Sequence, residues 1–81
     1  MKIELKENLT LQSLTTLFES CKNNPNLISE IIITAEDADT AGIQLCLAIK
    51  KDCPKIIFKI SSSIIQEKAK RLGVLTEIIN E

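Results

Sequence analysis

The sequence contains no histidine. That removes the commonest general base and the commonest transition-metal ligand together. Tryptophan and tyrosine are also missing, and Phe18 and Phe58 are the only aromatics. Single-stranded nucleic acids are held by stacking on aromatic faces, and a net charge of −1 leaves no broad basic footprint for a phosphate backbone. No nucleic-acid partner is therefore expected. With Gly42 and Gly73 as the only glycines, no glycine-rich phosphate cradle is available. No apolar run is long enough to span a bilayer. The start, Met1-Lys2-Ile3-Glu4, lacks the charged-then-apolar pattern of a signal peptide. The expectation is a cytoplasmic protein without direct membrane insertion. Cys21, Cys46 and Cys53 are odd in number and fit no metal-ligand spacing. Neither a metal nor a cofactor is expected.

What is present is an Ile-, Leu- and Ala-rich chain, 44% apolar over 81 residues, enough for one domain (1–81) with a modest core and a thin stability margin. Lys2-Ile3-Glu4-Leu5-Lys6 alternates polar and apolar residues, as a half-buried strand near a sheet edge does. Thr10 is placed to cap a helix whose apolar stripe is Leu11, Leu14, Leu17, Phe18 and Cys21. Asn23-Asn24-Pro25-Asn26 ends it. The β-branched run Ile31-Ile32-Ile33 suits a central strand covered on both faces. An acidic loop, Glu36-Asp37-Ala38-Asp39, precedes a second helix from about Thr40 to Lys51. Ile56 to Ile60 reads as a third strand. Ser61-Ser62-Ser63 offers caps for a third helix, with Ser63 and Gln66 at capping-box spacing. Ile65, Ala69 and Leu72 form its inner face, and Gly73 suits the position after it. The apolar stretch Val74 to Ile79 fits a short strand or a helical turn equally.

The order β-α-β-α-β-α implies an α/β fold with a small, mostly parallel central sheet and right-handed crossovers. In such sheets the functional loops lie at the carboxyl ends of the strands. The most polar of these connections leads into Asp39 and Thr40. The plain role of Asp39 is an N-cap. A phosphate on the Thr40 hydroxyl would be favoured by the helix dipole and opposed by Glu36, Asp37 and Asp39. On a helical wheel of about 100° per residue, Ala41, Gly42, Leu45, Cys46, Ala48 and Ile49 share the face that packs on the sheet. Ile43 and Leu47 fall instead in the polar sector with Thr40, Gln44, Lys50 and Lys51. Two readings stand: an exposed apolar patch of the kind that binds proteins, or cover by another element, most simply the first helix. A metal site drawn from Glu36, Asp37 and Asp39 is less economical than a solvated loop with one capping carboxylate.

The isoleucine-rich strand, the short loop and Asp39-Thr40-Ala41-Gly42-Ile43-Gln44-Leu45, followed by Ser61-Ser62-Ser63 through Leu72-Gly73-Val74, resemble the STAS domain over nearly the whole chain. That family includes anti-sigma-factor antagonists, stand-alone proteins beside signalling kinases, and small subunits of lipid-transport ABC complexes. The resemblance implies a STAS-like fold with its N-terminal strand pair truncated, leaving a sheet edge that a homodimer could pair. It implies a non-catalytic regulatory module that docks a protein partner, either an anti-sigma-like signalling kinase or a transporter subunit. Fold logic, the wheel and the resemblance together give Asp39, Thr40, Ile43, Gln44 and Leu47 as the expected docking residues, with Lys50 or Lys51 adding charge. Ala41, which has no hydroxyl, stands where the antagonists carry their phosphorylated serine. Thr40 is then the motif's only phosphorylation candidate.

Overall fold

The alternating start of the chain and the two isoleucine-rich runs form three parallel strands, and every connection between them is helical. The computed structural model describes residues 1–79. The elements are β1 (Lys2–Leu5), α1 (Leu11–Asn23), β2 (Glu30–Ile33), α2 (Thr40–Asp52), β3 (Ile57–Ile60), α3 (Ser63–Arg71) and α4 (Leu75–Ile79). The sheet order is β1-β2-β3, parallel throughout. Val74 to Ile79 therefore resolves as a helix, held by the buried Val74 and Ile78. Residues 80–81 lie outside the described residues.

Register explains which face is buried. Ile3, Ile31 and Phe58 form one row across the sheet, and Leu5, Ile33 and Ile60 the next. These side chains build the core with the helices. The reverse face carries Lys2, Glu30 and Ile57 in one row and Glu4, Ile32 and Lys59 in the other. There Glu30 pairs with Lys59 at 3.4 Å and approaches Lys2 at 4.0 Å, and the Thr34 hydroxyl donates to Glu4 Oε2 at 3.1 Å. The expectation that Ile31-Ile32-Ile33 is covered on both faces is therefore corrected. With strands laid down in the order 1-2-3, right-handed crossovers put α1 and α2 on one side, and α3 and α4 pack there against α2. Ile32 faces the open side, half-buried among charged neighbours.

The helix ends follow local chemistry. Thr10 Oγ1 accepts the Ser13 N–H, and Ser13 Oγ accepts the Thr10 N–H, closing a reciprocal capping box. Leu14 and Cys21 are buried, and Leu17 and Phe18 pack beside them. Leu11 departs from the expected stripe. It lies in the first turn and is 55% exposed. At the start of α3 the cap is Ser62, whose hydroxyl accepts the Ile65 N–H. Ser63 does not form the expected box, because the Gln66 amide turns to the Ile60 carbonyl at 2.6 Å. At its end Gly73 has φ +76, the Gly73 N–H donates to Lys70 O and the Val74 N–H to Ala69 O. This is the Schellman closure that favours glycine. The sharp reversal it makes leaves Leu72 39% exposed, so Leu72 leaves the predicted inner face.

Helix α2 is the centre of the helical layer and touches α1, α3 and α4. Its largest helix contact is with α1. Ile43 is 1% exposed and Leu47 8%, and both join the cluster that contains Leu14 and Cys21. They are core residues, not a docking patch. A helix flanked by neighbours on two sides buries a much wider arc than one lying on a sheet alone. Among the described residues, no helix is long and apolar enough to cross a membrane.

Candidate interaction surface at the strand carboxyl ends

Three connections meet beyond the carboxyl ends of the strands, and backbone hydrogen bonds lock them together. The Leu9 N–H donates to Asp37 O at 3.1 Å, and the Asp39 N–H donates to Leu9 O at 2.9 Å. Leu9 and Ala38 thus form a parallel bridge outside the main sheet, and both are buried. Asn8 Oδ1 accepts the Asp37 N–H at 3.3 Å. From the third connection, the Ser62 hydroxyl donates to Glu36 O at 2.8 Å and the Ser61 hydroxyl to Ile33 O at 2.9 Å. The start of α2 is pressed onto this frame. A Cβ at Gly42 would lie 2.4 Å from the Leu9 carbonyl oxygen and 3.1 Å from the Thr10 nitrogen. Gly42 permits that approach.

Asp39 is the N-cap, as its position suggested: its Oδ1 accepts the Gly42 N–H at 2.6 Å. Replacing Asp39 with alanine removes this acceptor and should cost about 1 kcal/mol. For a domain of this size that lowers the melting midpoint by roughly 4–8 °C, readable by circular dichroism. Asp39→Asn keeps a capping oxygen and should lose little. Equal melting of all three proteins would contradict the cap.

Asp37 is tied to α3. Its Oδ1 accepts from Lys68 Nζ at 2.5 Å and from the Ala38 N–H at 2.7 Å, and Lys68 also donates to Ala38 O at 3.1 Å. The Lys68 hydrogen bond, then the Ala38 N–H, hold the Asp37 carboxyl below its ordinary range. A lowered carboxylate pKa means the tie persists through neutral pH and is lost as pH falls through that lowered value. The acidic loop is therefore partly neutralised, and two of its carboxylates, Asp37 and Asp39, already hold partners.

Thr40, first residue of α2, is exposed beside these ties, and Gln44 is exposed one turn further on. Thr40 borders an open depression lined by Ala38, Asp39, Lys68, Arg71 and Leu72. A neighbouring hollow shares Lys68 and Arg71 and adds Ser63, Ile64 and Glu67. Ile64 is 52% exposed. Of the sequence-predicted set, the structure keeps Asp39, Thr40 and Gln44 at the surface and removes Ile43 and Leu47. Lys51 is exposed, whereas Lys50 is half-buried and donates to the Ile56 carbonyl at 2.5 Å. Sequence reasoning missed Lys68, Arg71, Ile64 and Leu72. The basic run of α3 was visible, but nothing local says that it lies against Thr40.

The thiols take no part in this surface. Cys21, Cys46 and Cys53 are all buried. Burial pushes the Cys46 thiol up to about 12 and raises Cys21, with the nearby Cys53 adding to the effect. Cys53 Sγ donates to the Cys21 carbonyl at 3.4 Å. Buried thiols behave as small hydrophobes.

No protein-family model matches the chain, and neither a curated protein nor a solved structure matches it.

Proposed function

We propose that this chain is a non-catalytic, cytoplasmic interaction module of the STAS type, docking a protein partner through the surface around Asp39 and Thr40. The observation that carries the reading is the setting of Thr40. It stands exposed beside an open depression that combines two cations, Lys68 and Arg71, with the half-exposed Leu72. Arginine is among the residues enriched at binding hot spots. The loops beneath are held by the Leu9–Ala38 bridge and the Asp39 cap, so little ordering entropy is lost on docking. The docking set becomes Asp39, Thr40, Gln44, Ile64, Arg71 and Leu72, with Arg71 lying 3.7 Å from the Glu67 carboxylate and Lys68 tied to Asp37. The family resemblance points to a signalling kinase, an anti-sigma-like protein or a lipid-transport ABC subunit.

Capture of partners by the immobilised chain tests the reading. Thr40→Glu and Arg71→Glu should each weaken capture at least about tenfold, equivalent to ~1.4 kcal/mol. Gln12→Glu, on the exposed side of α1, should leave it unchanged. Equal capture by all four proteins would remove this surface from consideration.

A second reading is a phospho-switch on Thr40. It is favoured by Arg71, which shares the depression with Thr40, and by the engagement of Asp37 with Lys68, which lessens the opposing charge. Intact-mass and peptide mass spectrometry of protein from growing and starved cells should then find a single phosphate on Thr40. Its absence in every condition leaves constitutive docking.

A further inference from the structure

The two edges of the sheet are treated differently. In a parallel ladder alternate residues of an edge strand bond to the same neighbour. Ile57 and Ser61 donate their N–H groups to Ser29 O, just before β2, and to Ile33 O at its end, so the backbone groups of Ile56, Phe58 and Ile60 point away from the sheet. Two of those outward carbonyls are occupied by the chain's own side chains, Ile56 O by Lys50 Nζ and Ile60 O by Gln66 Nε2. The β3 edge is thereby blunted. On the other side Met1 O and Leu5 O accept from Ser29, Thr34 and Ala35, so the backbone groups of Lys2 and Glu4 point outward. Among the described residues, these groups carry no hydrogen-bond partner. An unblunted edge is a template for another strand.

We propose that β1 pairs antiparallel with β1 of a second copy of this chain, with Ile3 opposite Ile3. Charge selects the occupant and the register. Centred on Ile3, Lys2 faces Glu4 of the second copy and Glu4 faces its Lys2, and these are the residues whose N–H and C=O groups are free. The pairing supplies four backbone hydrogen bonds and two cross-strand ion pairs on the open face of the sheet. Centring on Glu4 would oppose two glutamates, and centring on Lys2 two lysines, both of which destabilise. Centring on Leu5 would pair Glu4 with Lys6, but it carries the ladder past the end of β1 at Leu5 and sets Glu7 against Ile3. On the helical side the favoured register puts Ile3 against Ile3 and Met1 against Leu5. Met1, itself largely exposed, would then border the groove whose apolar lining is Leu5, Leu9 and Leu14 and whose rim carries Glu4, Lys6 and Glu7. The product is a continuous six-stranded sheet with two-fold symmetry. The contact belongs to the small, transient class under about 1,000 Å². It uses the edge of the sheet and leaves the Thr40 surface free.

Sedimentation velocity from low-micromolar to millimolar concentration, on chains tagged only at the carboxyl end and verified as folded by circular dichroism, tests this. The wild type should shift from monomer to dimer. Lys2→Glu alone and Glu4→Lys alone should each remain monomeric where the wild type is dimeric, and an equimolar mixture of the two should dimerise, because their β1 strands are then mutually complementary. In the wild type the Lys2 and Glu4 amides should exchange with solvent more slowly as concentration rises, a readout that needs no variant. The proposal is overturned by a wild type that stays monomeric, by single variants that dimerise like the wild type, by a mixture that does not recover, or by Lys2 and Glu4 amides that stay unprotected in the dimer.

Discussion

Gly42→Ala is expected to destabilise the protein by about 3 kcal/mol or more, lowering its melting midpoint by roughly 12–24 °C. The new methyl would meet the backbone carbonyl of Leu9 at 2.4 Å. That carbonyl is not free to retreat, because it accepts the Asp39 N–H and its residue is paired with Ala38. Either α2 lifts away or the Leu9–Ala38 bridge breaks. Both disturb the floor of the proposed docking surface, so partner capture should fall with stability. Gly73→Ala is the internal comparison. At that position no atom lies within 4 Å of the added Cβ, and the cost is the strain of a positive φ alone, about 1 kcal/mol. Thermal melts of the two variants side by side should separate them clearly. A Gly42→Ala protein as stable as wild type would mean that α2 does not press on the Leu9 turn.

Ile43→Ala should cost about 2–5 kcal/mol, the range for emptying a buried aliphatic site, while Gln44→Ala, one residue on, should stay within about 0.5 kcal/mol. The contrast decides what Ile43 is for. A docking residue would lose partner affinity with stability intact. A core residue sealing α2 against α1 loses stability first. Urea unfolding of both variants, with wild-type m-values, gives the answer. If Ile43→Ala melted like Gln44→Ala, the burial of Ile43 between the helices would be wrong.

Much of the architecture was legible because local chemistry and tertiary structure agree. Alternation in Lys2–Lys6 specified an edge strand, Thr10 and Asp39 specified helix starts, and Gly73 a helix end. The failures fall where a neighbour decides. Ile43 and Leu47 sit in the polar sector of their own helix, and the elements packed around α2, α1 foremost, make them core. Ile32 belongs to an unbroken isoleucine run, yet the one-directional strand order leaves its side uncovered. Ser62 caps α3 in place of Ser63, one residue away, because Gln66 is drawn to the edge carbonyl of Ile60. For the candidate site, the Asp39–Thr40 pointer could be read from fold logic. Its companions on α3 could not, because Lys68 and Arg71 come to share a depression with Thr40 only through the packing of α3 beside α2.

The central claim is that a protein partner docks at Thr40. Its most direct test is a photo-crosslinking amino acid placed singly at Thr40, Gln44, Arg71 and Gln12, with irradiation in living cells. Thr40, Gln44 and Arg71 should give the same adduct band, identified as one protein by mass spectrometry, and Gln12 should give none. A shared adduct at Gln12 and not at Thr40, or no adduct at any of the first three, would contradict it.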